Sequence, residues 1–124
     1  MDKDEQQLHE DKRKRTRVDI QLNAVIQCTN QEIQTQTQNI SLKGILCLLH
    51  SLQEGKVCEV IIWLSEEEYI QVQGEVVRTS QEGTAIDFIK MSSESFSHLY
   101  NLVRLNSQDP DKLDEELKYP AFGK

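Results

Sequence analysis

Nowhere in the 124 residues do 18 apolar residues run together, so the sequence offers no membrane-spanning helix. The opening residues, MDKDEQQ, lack the apolar stretch of a secretory signal. The expectation is a soluble, cytoplasmic protein with no direct membrane insertion. Cysteine is scarce: Cys28, Cys47 and Cys58 lie far apart and none belongs to a CxxC pair. An odd, widely spaced set argues against a disulfide framework or a zinc site. Each falls in an apolar run, so free, buried thiols in a reducing compartment are expected. His9, His50 and His98 are scattered, without acidic or cysteine neighbours at ligand spacing, so no metal is expected. HExxH is missing, as are a phosphate-cradling glycine loop and a nucleophile beside a plausible base. The chain therefore reads as no enzyme, with no catalytic residue and no cofactor to assign.

What is present is an uneven charge. The net charge is −7, yet residues 12–17 read KRKRTR, five basic residues in six. Residues 18–124 hold 8 lysines and arginines against 16 acidic residues. A nucleic-acid binder spreads positive charge over a folded face to neutralise many phosphates. A short basic segment on an acidic body suits a small anion carrying a few phosphates.

The length suits one domain. Residues 1–11 are polar and charged around a single Leu8 and read as disordered. Val18, Ile20, Leu22, Ala24, Ile26 and Cys28 then alternate with mostly polar neighbours, the signature of one long strand with one buried face. A second, more polar strand covers 33–38, joined by a hairpin at Asn30-Gln31. Ile45–Leu49, Val57–Leu64, Tyr69–Thr79 and Thr84–Lys90 follow as short strands, with Gly74 marking a bulge or bend. Glu66, Glu67 and Glu68 read as a solvated turn, and Trp63 as core or barrel rim. Such tight connections leave no room for crossover helices, so the sheet is antiparallel and closes into a barrel. Ser92 and Ser93 offer caps for a helix whose Phe96, Leu99, Tyr100 and Val103 form one apolar stripe. The fold class is all-β with a C-terminal helix: a small antiparallel barrel of about six strands with one helix packed on it. Residues 106–124 read as a weakly ordered tail with a short helix starting at Asp109-Pro110, its Leu113 and Leu117 too thin a face to hold it alone.

Two motifs carry chemistry. Arg13 and Arg17 form RxxxR directly before the first strand. A solvated basic linker is the plain account. The functional one rests on the planar guanidinium, which pairs bidentately with phosphate and stacks on a purine. Lys12, Lys14 and Arg15 would add attraction. Asn39-Ile-Ser41-Leu-Lys43-Gly44 is NxSxxG between two strands. Its plain account is a turn in which Asn and Ser bond their own backbone and Gly supplies a positive φ. Functionally, Asn39 and Ser41 can bond a nucleobase edge, Gly44 allows close approach and Lys43 adds a cation.

RxxxR before strand one followed by NxSxxG after strand two resembles the PilZ family, whose RxxxR and (D/N)xSxxG together bind cyclic di-GMP. Gly74-Glu-Val-Val-Arg78 and Gly83-Thr-Ala-Ile-Asp-Phe88 look like the family's last two strands, so the resemblance covers about 12–105. It implies a cyclic di-GMP receptor or adaptor, with Arg13 and Arg17 clamping phosphates and stacking on guanine. Asn39 and Ser41 would bond a guanine edge or nearby backbone, and Gly44 would hold the turn. Asn39 stands where the family also uses Asp, which removes a charge. The basic Lys12 ahead of the motif leans towards an intercalated ligand pair. A downstream protein would read the rearranged surface. The alternative is a PilZ-fold interaction module of a motility or secretion system that binds no nucleotide.

Overall fold

The computed structural model describes residues 16–49 and 52–116. The expected disordered segment 1–11 and the basic residues Lys12, Arg13, Lys14 and Arg15 lie outside the described residues, as does the tail beyond 116. Seven strands are followed by two helices: β1 (Arg17–Asp19), β2 (Asn23–Cys28), β3 (Gln31–Ser41), β4 (Gly44–Cys47), β5 (Val57–Trp63), β6 (Tyr69–Ser80), β7 (Gly83–Met91), α1 (Ser93–Asn106) and α2 (Pro110–Glu116). The strands pair in the order β3-β2-β5-β6-β7-β4, and β4 returns to β3. All pairings are antiparallel, so six strands close a barrel, and β1 adds to β3 as an extra strand.

Alternation decides what fills it. Ala24, Ile26, Val60, Ile62, Ile70, Val72, Val76 and Ile86 point inward and are buried, mostly β-branched side chains that suit a pleated surface. The ladder between β6 and β7 slips register at Gln73/Gly74, where the sequence marks a bulge.

The single strand expected over Val18–Cys28 is two. Buried Thr37 supplies the physical reason: its hydroxyl accepts the Leu22 amide (3.0 Å) and donates to the Ile20 carbonyl (2.7 Å). Its own amide reaches the Leu22 carbonyl at 2.9 Å. The backbone steps out of the ladder at 20–22 while its polar groups stay paired, as burial demands.

Ser92 caps α1, its hydroxyl accepting the Ser95 amide at 3.1 Å. Leu99 and Val103 are buried beneath the helix, with Phe96 and Tyr100 packed at the edge of the core. The second helix is better anchored than its thin stripe suggests. Leu113 is fully buried, the Tyr100 hydroxyl donates to Asp114, and Arg104 Nε lies 3.6 Å from the same carboxylate. Among the described residues no helix is long and apolar enough to cross a membrane.

The cysteines require a correction. Cys28 and Cys58 are joined by a disulfide, with Cα atoms 4.7 Å apart. They lie one step beyond the Gln27↔Glu59 pair of β2 and β5, so strand register sets them face to face. Sequence separation hid this, and the argument for a reducing compartment loses those two residues. Cys47 is the free, buried thiol expected, its pKa pushed up to about 12 by burial.

Two outcomes follow. Replacing Thr37→Val leaves a part-buried amide (Leu22) and carbonyl (Ile20) without their partner, so urea unfolding should show a loss of about 1–3 kcal/mol. Alkylation at pH 8 should spare the native protein, because Cys47 stays a protonated, inaccessible thiol there. Mass spectrometry should then count one modified cysteine after unfolding without reductant, and three once reduced.

Candidate functional site

The register of β1 on β3, Arg17↔Ser41 and Asp19↔Asn39, sets the two motifs side by side. On β1 the inward Val18 is buried while Arg17 and Asp19 are exposed, so both face the outer surface of the barrel. Arg17 Nη1 donates to Asn39 Oδ1 at 2.8 Å, a diagonal contact across the strand pair.

The rest of NxSxxG builds the turn. Ser41 is fully buried. Its Oγ accepts the Lys43 and Gly44 amides, both at 3.1 Å, and donates to the Gly44 carbonyl at 3.3 Å. Gly44 is needed for a reason other than the positive φ first expected, which among the described glycines belongs to Gly55 and Gly83. A Cβ at 44 would lie 2.4 Å from the Ile86 carbonyl oxygen, so glycine is what lets β4 approach β7 and close the barrel. Lys43 is half-buried, and its carbonyl accepts the Phe88 amide at 2.7 Å, tying the turn to β7.

Arg17 sits among charges that sequence reading did not single out. Its pKa lies below the ordinary arginine value, first because crowding desolvates the guanidinium, with Arg78 lowering it further and Asp87 pulling it back up. Much of the residue still meets solvent, and arginine stays protonated at any physiological pH. Arg17 is therefore a crowded cation with charges of both signs beside it, the Asp87 carboxylate acting on it more strongly than the Arg78 guanidinium. Arg78 and Asp87 fall in the two segments that carry the family resemblance. Their convergence on Arg17 depends on the β6–β7 and β4–β7 registers, which spacing alone does not give. A depression of about 500 Å³ opens beside Asn39, bordered by Asp19, Gln38 and Leu48. A larger groove of about 890 Å³ lies elsewhere, between β6 and α1, and none of the motif residues lines it. No group of three potential metal-ligating side chains occurs among the described residues.

The sequence matches the family model described as PilZ domain over residues 11–105. The chain belongs to the PilZ family. No curated protein matches it by sequence. Among solved structures, the PilZ domain with c-di-GMP of YcgR from Escherichia coli is 13% identical, with a TM-score of 0.63 over 86% of this chain and 98% of that one. The Bacillus subtilis inhibitor of motility (MotI/DgrA) is 23% identical, with a TM-score of 0.61 over 86% of this chain. The PilZ chain spans about half of that protein's length, 52%. The PilZ domain of CeSA from a cellulose-synthesizing bacterium is 11% identical, with a TM-score of 0.59 over 70% of this chain and 93% of that one. At these identities the likeness is one of fold.

Gly44→Ala should cost about 1–3 kcal/mol by denaturant unfolding, since the added methyl forces β4 off β7. An unchanged midpoint would mean that the strands part without cost.

Proposed function

We propose that this PilZ domain is a cyclic di-GMP receptor whose basic arm closes over the ligand against the Asn39 turn and alters the surface offered to a partner protein. The observation that carries the reading is the 2.8 Å contact between Arg17 and Asn39, one residue from each motif, on the outer face of the barrel. Membership of the family and the similarity of fold to a PilZ domain solved with c-di-GMP support the same ligand.

The chemistry follows from donors and acceptors. Arg17, with Arg13 from the arm, offers planar forks to the phosphates and flat faces to guanine. Guanidinium only donates, so the Asn39 oxygen turns to Arg17 and the amide nitrogen is left to donate. That nitrogen suits the O6/N7 acceptor edge of guanine. Ser41 and Gly44 hold the turn in shape rather than touching the base first, and Lys12, Lys14, Arg15 and Lys43 supply attraction that salt weakens. Each charge-assisted bond contributes about 1.5–3 kcal/mol, against about 1–2 kcal/mol for every arm residue whose backbone is fixed. A cost of that size makes arm ordering the natural switch. No step in this reading makes or breaks a covalent bond, so the domain acts by binding. The alternative, an adaptor that docks on its partner without nucleotide, has no use for two motifs brought into contact.

Titration calorimetry with cyclic di-GMP tests the reading, with GTP and an oligonucleotide as controls. Selective binding of cyclic di-GMP is expected, and Arg13→Ala or Arg17→Ala should weaken it about ten-fold or more with the barrel still folded. Equal affinity in both variants would defeat the clamp. Amide exchange at residues 8–15 should slow when ligand is added; an arm exposed alike in both states would defeat the switch.

A further inference from the structure

The two motifs leave unused one side chain of the strand that carries Arg17. Asp19 stands two residues on, exposed on the same outer face, and directly opposite Asn39 in the β1–β3 register. Among the described residues its carboxylate takes neither a hydrogen bond nor an ion pair. With Asn39 it borders the depression of about 500 Å³, whose wall also includes the exposed, apolar Leu48.

Both sides of that depression are fixed by the fold. Just before β1, the amide and hydroxyl of Thr16 donate to Glu116 Oε2 at 2.8 and 2.6 Å, 100 positions away in sequence. The strand is thus held at its root as well as along β3. On the other side, the β3–β4 ladder slips register between Thr37 and Asn39, which leaves Gln38 as an extra residue. Gln38 Nε2 donates to the Glu82 carbonyl at 2.7 Å, tying the bulge to the turn before β7. A bulge bends its strand and re-aims side chains, and this one lies in the wall of the depression.

Asp19 and Asn39 offer opposite chemistry. Asn39 has given its oxygen to Arg17, so the amide nitrogen is the donor that remains. An ionised carboxylate only accepts. Side chains directly opposite on such a pair have Cβ atoms about 4.5–5.5 Å apart, close enough to address one base edge together. On guanine that edge has O6 as acceptor, with N1–H and the C2 amino group as donors. Adenine reverses it, with an amino group at C6, a bare N1 and nothing to donate at C2.

We propose that Asp19 is the guanine-specifying residue of the cyclic di-GMP site, its carboxylate accepting from N1–H and the C2 amino group while the Asn39 amide donates to O6. The inference rests on the receptor reading above. Asp19 supplies, from the facing strand, the carboxylate that position 39 lacks. Arg17 stands about 6.6 Å back along β1, so phosphate and base edge meet opposite charges at separate points. That edge is the part of the base farthest from the phosphates, which keeps the anions apart.

Calorimetry with cyclic di-GMP, cyclic di-IMP and cyclic di-AMP on wild type, Asp19→Ala and Asp19→Asn decides it. Cyclic di-IMP keeps O6 and N1–H and lacks only the C2 amino group. Wild type should bind cyclic di-GMP about ten-fold more tightly than cyclic di-IMP, with cyclic di-AMP weakest. Asp19→Ala should weaken cyclic di-GMP about ten-fold and bring it close to cyclic di-IMP, with an unchanged far-ultraviolet spectrum. Asp19→Asn, nearly the same shape and still holding one acceptor oxygen, should fall between. Wild-type protein that binds cyclic di-GMP and cyclic di-IMP alike overturns the assignment. So does a preference between them that is the same in Asp19→Ala as in wild type, even if both bind more tightly once the anion is gone. Wild-type protein that binds no cyclic di-GMP defeats the receptor reading, and the role of Asp19 falls with it.

Discussion

A β-strand has two edges, and β3 uses both. Along one edge it pairs first with β2 and then with β1; along the other it takes β4 and so completes the barrel. Everything at the site descends from that sharing. The end of β3 that bears Asn39 is held from both sides, and the residue that follows the basic arm is one of those holding it. The handover between β2 and β1 happens at Thr37, which keeps the interrupted backbone hydrogen-bonded. A long strand with three partners is thus what converts two motifs, 22 residues apart between Arg17 and Asn39, into one surface.

The electrostatics add a second layer. In a molecule of net charge −7, Arg17 is set between Asp87, which favours its charge, and Arg78, which opposes it. The turn behind Asn39 is rigid, because Ser41 satisfies its amides and Gly44 admits β7. The surface that carries Asn39 is thus set by bonds within the barrel itself.

Much of this was legible from residues alone. Period-two alternation located the strands, Gly74 marked its register slip, and the stripe from Phe96 to Val103 gave the helix. RxxxR and NxSxxG named Arg17 and Asn39, because charged and polar residues beside a strand signal stand out locally. Harder features are set by contacts distant in sequence. Val18–Cys28 reads as unbroken because the cause of the break is a hydroxyl on another strand. Cys28 and Cys58 face each other only once the β2–β5 register is known. Arg78 and Asp87 look like ordinary surface charges until β7 is wrapped beside β4. The second helix looked too thin to hold itself, and by its own contacts it would be; Leu113, Asp114 and Glu116 each lean on another element.

The meeting of Thr16 with Glu116 also has an architectural meaning. The backbone enters and leaves this domain at one spot, like a bulb on a stem. Thr16 and Glu116, the first and last of the described residues, are thereby brought shoulder to shoulder. A tug between those neighbours would therefore load two hydrogen bonds at the doorway before any strand of the barrel felt it.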